Sequence, residues 1–268
     1  MWFLIFIGCI LLGLIILVRY LEATSVFHPS GTIETTPKGF GLPYEDVYFK
    51  TADGVILNGW LIKNPKAVST IIVAHGNAGN MSDRLLKVNA FYQMGLNVFI
   101  FDYRGYGKSK GHPTEKGIYI DGQAAYDYLA ARPDFPKDRI IAYGASLGGA
   151  VAIDLATQRK VSALIVDSSF SSAGAVSRVF YPFIPAFLLD IKMDNAAKVK
   201  GLKVPKLFIH STGDRTIPFA LGQQLYTAAA GPKVFLQTTG GHVDAHITDK
   251  DVYQREFTRF LKGQGLMR

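Results

Sequence analysis

Gly144-Ala145-Ser146-Leu147-Gly148 is a G-x-S-x-G sequence. A serine hydroxyl is a weak nucleophile until a neighbouring base takes its proton. A serine on a tight strand-to-helix turn projects its Oγ clear of the backbone. Glycine on either side lets adjacent backbone approach where a side chain would clash. The flanking sequence fits that turn, with RIIAY before it and LGGAVAIDLA after it. The blander alternative is a glycine-rich packing turn holding an inert serine.

The base should be one of six histidines, His28, His75, His112, His210, His242 and His246. In a parallel sheet every strand ends on one edge, where ligands bind. A base for Ser146 must come from a loop on that edge. His242, in Thr239-Gly240-Gly241-His242, follows the last expected strand, and His246 is the runner-up. His210 ends a strand and reads as a core or hydrogen-bonded histidine, and His28 and His112 read as loop residues. An acid must fix the imidazole tautomer and stabilise the imidazolium. Asp214 follows the run KLFIH and lies on the required edge, while Asp167, after ALIV, competes with it. The order Ser146, Asp214, His242 is the serine–acid–histidine order of one triad class. A developing oxyanion needs preorganised N–H donors. Leu147 offers one at the helix start, and Asn77, in His75-Gly76-Asn77-Ala78-Gly79-Asn80, offers the second. That loop also reads as a cap for the helix after it, with His75 holding its shape.

These groups need a scaffold. Expected strands are Val47–Lys50, Val55–Ile62, Thr70–Ala74, Val98–Phe101, Arg139–Tyr143, Ala163–Val166, Lys206–His210 and Val234–Gln237. The first two flank Ala52-Asp53-Gly54 and read as a hairpin. TIIVA and VFIFD are continuous apolar runs, as buried parallel strands require. Helical spacing marks Ser82–Met94, Ile120–Ala131, Leu147–Gln158, Ile217–Ala229 and Asp249–Leu261. Alternating strands and helices predict one α/β domain, a mostly parallel central sheet flanked by helices. Arg104, in Asp102-Tyr103-Arg104-Gly105, reads either as paired with a carboxylate or as a contact for an acidic substrate.

The set HGNAGN, FDYRGYGKSKG, GASLGG, STGDRTIP and GGH resembles the α/β-hydrolase superfamily, and within it the Bem46-like membrane-associated serine hydrolases. The resemblance runs from about Pro43 to the C-terminus. It implies the α/β-hydrolase fold, Ser146, Asp214 and His242 as a triad, and Asn77 and Leu147 as oxyanion amides. It also implies ester or thioester hydrolysis without a cofactor. The chain departs from the pattern at Ser211-Thr212-Gly213, where relatives commonly carry His-Gly.

After ALIV comes an aromatic stretch holding Phe180, Tyr181, Phe183 and Phe187, at the position where this fold inserts lids. Pro182 and Pro185 forbid one continuous helix there. The segment, about residues 170–200, is expected either to pack on the core or to cover the site and receive an acyl chain. Trp2 to Val18 carry no charge and end at Arg19-Tyr20. With no basic residue ahead of this run and no good cleavage site after it, it reads as an uncleaved transmembrane anchor. The resulting organisation is an anchor over 1–20, a linker over 21–43 and the catalytic domain over 44–268. Arg19 weakly favours a cytoplasmic domain.

The 268 residues are 49% hydrophobic and 19% charged, which excludes a disordered or low-complexity chain. A single cysteine, Cys9, excludes an internal disulfide framework and a cysteine-based zinc site. The net charge of +8 favours anionic surfaces. No basic run or motif points to nucleic acid, so the expected partners are a membrane and an acyl ester or thioester, from a lipid or an acylated protein. No metal motif or dinucleotide-binding glycine loop appears. Two alternatives stand beside the esterase reading: a serine peptidase or amidase on the same fold, and a non-catalytic membrane scaffold.

Overall fold

The computed structural model describes residues 2–268, leaving aside the side chains of Leu4, Ile7, Ile10, Leu11 and Ala23. It begins with helix α1 (Trp2–Ser25) and a short strand β1 (His28–Pro29). The strands β2 (Glu45–Lys50), β3 (Ile56–Ile62), β4 (Thr70–Ala74) and β5 (Ala78–Gly79) follow, then α2 (Leu85–Gln93), β6 (Asn97–Phe101) and α3 (Glu115–Ala130). Next come β7 (Ile140–Ala145), α4 (Leu147–Gln158), β8 (Ala163–Asp167), α5 (Ala173–Phe180) and α6 (Asn195–Lys200). The chain finishes with β9 (Lys206–Ser211), α7 (Phe219–Ala228), β10 (Lys233–Thr238), α8 (Ala245–Thr248) and α9 (Lys250–Gly263).

Eight strands form one sheet in the order β10-β9-β8-β7-β4-β6-β3-β2. The predicted hairpin is present: β2 pairs antiparallel with β3, and β3 antiparallel with β6. Every pairing from β6 through β10 is parallel. Successive residues of the continuous runs feed two cores. In β4, Ile71 and Val73 join the cluster of α2 and α9, while Ile72 and Ala74 join that of α3, α4 and α7. A strand covered on both faces has no solvent-facing row, which explains the lack of alternation in TIIVA.

Several boundaries move for local reasons. Helix α3 starts at Glu115 rather than Ile120, because the Thr114 side chain accepts from the Gly117 N–H and caps it. The segment expected to be one helix from Ser82 divides into a 3-10 turn, Met81–Arg84, and α2, with an Asn80–Asp83 capping box at the start. Helix α7 begins at Phe219 rather than Ile217, since the Ile217 N–H is held by Asp214 Oδ1. The final helix is preceded by the separate turn α8.

The segment read as a linker contains β1, which pairs in parallel with β5. Among the described residues no helix is long and apolar enough to cross a membrane, so the expected transmembrane span is not shown. Residues 2–18 do lie within a helix of 24 residues, α1. Near its C-terminal end Val18 is buried against Ile184 and Leu189 of the aromatic segment.

Candidate active site

Ser146 sits between β7 and α4 with φ 54° and ψ −119°. This left-handed backbone is strained for a residue with a side chain and persists only when its surroundings enforce it. A Cβ on Gly144 would lie 2.0 Å from the Gly148 carbonyl oxygen, and one on Gly148 would lie 2.0 Å from that of Ala74. Both motif glycines are therefore demanded by backbone packing. The Ser146 N–H donates to the Asp167 carbonyl at 2.9 Å, and the Ser146 carbonyl accepts from Ser169 Oγ at 2.9 Å. The turn is thereby tied to the end of β8.

Asp214 follows β9 and His242 follows β10, the next strand in the sheet. His242 Nδ1 lies 2.7 Å from Asp214 Oδ2. The other carboxylate oxygen accepts from the N–H groups of Thr216 and Ile217 at 2.9 and 2.8 Å. His210 Nε2 stands 3.4 Å from Oδ2 and 2.9 Å from the Ile217 carbonyl. Burial alone would raise the Asp214 carboxyl. The hydrogen bonds from His210 and His242 outweigh it and hold the group well below the usual carboxylate range. The carboxylate therefore stays charged beside the His242 ring. The departure at Ser211-Thr212-Gly213 is accommodated locally, for Ser211 Oγ donates to the Gly240 carbonyl in the loop that carries His242.

Ser146 Oγ and His242 make no direct hydrogen bond; the His242 ring bonds to Asp214. In ligand-free sites such bonds are often long and tighten only with substrate. The three side chains share one sheet edge, and Ser146 opens onto the same cavity as Arg215, Thr216 and Ile217, the residues that follow Asp214.

Neither the Asn77 nor the Leu147 N–H has a protein acceptor among the described residues. Leu147 is the first residue of α4, whose N-terminal amides lack intrahelical partners. The Asn77 carbonyl is fixed from behind by the His28 N–H at 3.0 Å and the Tyr106 hydroxyl at 2.7 Å. His75 is buried, with Nδ1 at 2.7 Å from the Gly76 carbonyl, and shapes the loop as expected.

The competing residues have other work. Asp167 is fully buried and accepts from Lys87 Nζ at 2.8 Å and the Tyr143 hydroxyl at 2.6 Å. Burial would raise its carboxyl, but the Lys87 charge and these hydrogen bonds hold it low. His246 is pushed down to about 4 by burial, with the Lys87 charge adding to the effect. It is thus held neutral, and no hydrogen bond ties it to Asp214. Arg104 pairs with Asp121 and Asp53, each at 2.8 Å, as its structural reading requires. Burial lifts the Asp121 carboxyl to about 6 despite this partner.

A cavity of about 360 Å³ adjoins Ser146, within the range of roughly 300–1,000 Å³ usual for small-ligand sites. Of the four aromatic residues expected to contact substrate, Phe180 and Tyr181 line it. Phe183 and Phe187 do not; they stand 67% and 80% exposed, Phe183 in the turn at Tyr181–Ile184 and Phe187 in the 3-10 turn Ala186–Leu188, where neighbouring Ile184 is the residue turned inward. Sequence reasoning missed Val18, Leu21 and Val26, which also line the cavity. Val18 had a sufficient explanation in the anchor read over 1–20, and Leu21 and Val26 fell in the segment read as a linker. It also missed Lys87, whose one signal was a place four residues before Phe91 on the buried face of α2. Among the described residues, no group of histidine, cysteine, aspartate and glutamate is placed to hold a metal ion.

The model of the alpha/beta hydrolase fold matches residues 69–260. An uncharacterized protein of Mycobacterium tuberculosis is 38% identical over 221 residues, covering 81% of this chain and 78% of its own. Protein bem46 of Schizosaccharomyces pombe is 39% identical over 204 residues, 71% of this chain and 68% of its own. The alpha/beta hydrolase domain-containing protein WAV2 of Arabidopsis thaliana is 34% identical, covering 95% and 92% of the two chains. Among solved structures, an esterase of Pyrococcus furiosus superposes with a TM-score of 0.74 at 24% identity, over 90% of this chain and 98% of that one. At that identity the likeness speaks for the fold alone. With the serine turn, the aspartate–histidine pair and the sheet order, these matches establish that the chain belongs to the α/β-hydrolase family.

Proposed function

We propose that the protein is a membrane-attached serine hydrolase that cleaves carboxylic esters or thioesters through an acyl-enzyme. The observation that carries this reading is the 2.7 Å contact of His242 Nδ1 with Asp214, on the sheet edge where Ser146 is held at positive φ. With Nδ1–H donated to the carboxylate, Nε2 keeps a lone pair to accept the Ser146 proton. Ser146 Oγ bonds to the acyl carbon, and the carbonyl π electrons move to oxygen. The oxyanion rests on the Asn77 and Leu147 N–H groups. Collapse breaks the bond to the leaving group, which takes its proton from His242 Nε2. Water then gives a proton to His242, attacks the acyl carbon and releases the acid, and the proton returns to Ser146.

Hydrolysis of p-nitrophenyl acetate and butyrate by the parent and Ser146→Ala tests the mechanism. Equal rates would remove Ser146 from it. Aminoacyl p-nitroanilides assayed in parallel address the peptidase alternative, which predicts the anilides as the better substrates. A scaffold predicts no labelling of Ser146 by a fluorophosphonate.

Attachment to a membrane through α1 is part of the proposal. Trp2, Phe3, Phe6 and Ile16 are exposed on that helix, and Phe183 and Phe187 are exposed on the segment that Val18 packs against. Apolar groups on adjoining surfaces gain by entering lipid together, and the excess of basic residues favours an anionic leaflet. The full chain is expected to float with phosphatidylglycerol-containing vesicles; recovery in the pellet with the unbound fraction would refute attachment. Protease protection in sealed vesicles reports the side on which the domain lies.

A further inference from the structure

The end of α1 and the turn after it are built into the cavity beside Ser146. Val18, Leu21 and Val26 line that cavity together with Phe180, Tyr181 and Ile184 of the aromatic segment and with Ser146. Val18 is 1% exposed, a burial that lipid attachment alone does not require. Two polar ties fix this wall in place. Glu22 Oε1 accepts from the N–H groups of Asp190 and Ile191 at 2.8 and 2.9 Å, joining the helix to the far end of the aromatic segment. Arg19 in turn holds Glu22 at 2.9 Å. After the helix, the His28 N–H donates to the Asn77 carbonyl and the Ser30 N–H to that of Gly79, each at 3.0 Å. Glu22 therefore ties α1 to the aromatic segment on one side, and His28 and Ser30 tie the turn after it to the candidate oxyanion loop on the other.

We infer that α1 is a specificity element, one wall of a pocket for a linear acyl chain, and that it makes esters of medium-chain acids better substrates than acetates. The inference rests on the serine-hydrolase reading of the same site. A chain laid between Leu21 and Tyr181 leaves water along its length, and each CH₂ buried there is worth about fourfold in kcat/KM. Glu22 is occupied with the backbone of the aromatic segment, so it does not offer a free carboxylate to the acyl chain. Because the wall belongs to the element proposed to sit in lipid, the pocket adjoins the surface from which an acylated substrate would come.

The test uses the full chain in detergent, with kcat/KM measured for a p-nitrophenyl ester series from acetate through octanoate to dodecanoate. In the parent the octanoate-to-acetate ratio exceeds about tenfold, as several buried CH₂ groups require. Leu21→Trp fills the pocket and is expected to lower that ratio at least tenfold. Leu21→Ala shortens the wall and shifts the best substrate to a chain about two carbons longer, the length of side chain removed. Leu17→Trp, on the exposed face of the same helix, keeps the parent ratio. Fluorophosphonate labelling and melting temperature report whether each variant is folded, and Leu21→Ala still reads the wall if the tryptophan is not tolerated. An unchanged ratio and chain-length optimum in both Leu21 variants, or an equal shift in Leu17→Trp, overturns the wall while leaving the hydrolase intact. A folded parent that turns over neither ester overturns the hydrolase reading, and the wall with it.

Discussion

Lys87 Nζ lies 2.8 Å from Asp167 Oδ2 in the interior, and the same ammonium donates to the Val243 carbonyl at 2.9 Å. Val243 follows His242 and itself has φ 54°. The pair thus links the helix α2 and the end of β8 to the loop that presents the candidate base. Removing one member of a buried ion pair leaves a charge without compensation and typically costs about 3–5 kcal/mol. Lys87→Met is expected to lose stability in that range by urea unfolding. Lys87→Met combined with Asp167→Asn should lose less than the sum of the single losses, since residues in contact couple. Additive losses would show that the two side chains do not depend on each other.

The assignment of the acid is open to a direct comparison. Asp214 is bonded to His242, whereas Asp167 is bonded to Lys87 and Tyr143. Asp214→Asn should lower kcat by about 10⁴-fold, because the imidazole would then be held in the wrong tautomer. Asp167→Asn should act on stability far more than on kcat. Comparable kcat losses in folded preparations of both variants would reassign the acid.

Gly148 is packed against the Ala74 carbonyl so closely that a methyl group has no room. Gly148→Ala is expected to destabilise the fold by about 3 kcal/mol or more, the upper part of the overpacking range. Gly201→Ala meets nothing within 4 Å and serves as the reference. Chemical denaturation of the two variants measures the difference, and equal midpoints would contradict the tight turn.

His246 gives stability a pH dependence of known sign. Its folded value is lowered to about 4 from 6.5, so between those values the unfolded chain takes up a proton that the folded chain refuses. Its contribution is complete above pH 6.5 and is lost as the pH falls towards 4. Asp121 works in the opposite sense. Raised from 3.8 to about 6, it adds stability as the pH falls through 6 and reaches its full contribution below 3.8. The drop in melting temperature from pH 7 to 4.5 should therefore be smaller in His246→Asn than in the parent, and larger in Asp121→Asn. Identical drops in all three would remove both groups from the acid response.

Much of the site could be read along the chain because its parts sit at strand ends. GASLG, GD before the TIP turn and GGH each follow an apolar run, and parallel strands deliver their ends to one edge. The alternation of β-branched runs with helical spacing predicted the sheet and its antiparallel hairpin. What escaped were contacts between segments far apart in sequence. Nothing near Thr114 or Pro218 in the apolar pattern marks where α3 and α7 begin, because those starts are set by side-chain caps and by Asp214. The exposure of Phe183 and Phe187 beside the lining Phe180 and Tyr181 was equally hidden, since all four are aromatic residues of one short stretch.

The sequence by itself determined the α/β architecture, the serine turn and the candidate partners of Ser146, because each rests on local periodicity or on a motif whose glycines have steric reasons. Only the tertiary structure decided between Asp214 and Asp167 as the neighbour of His242. Asp167 ends one buried strand and Asp214 follows another, and the choice turned on Lys87 of α2, which reaches Asp167. The tertiary structure also gave α1 its second face. An apolar run carries no mark of which residues meet lipid and which meet protein. Burial of Val18 against Ile184 and Leu189, some 170 residues away, is a property of the folded chain.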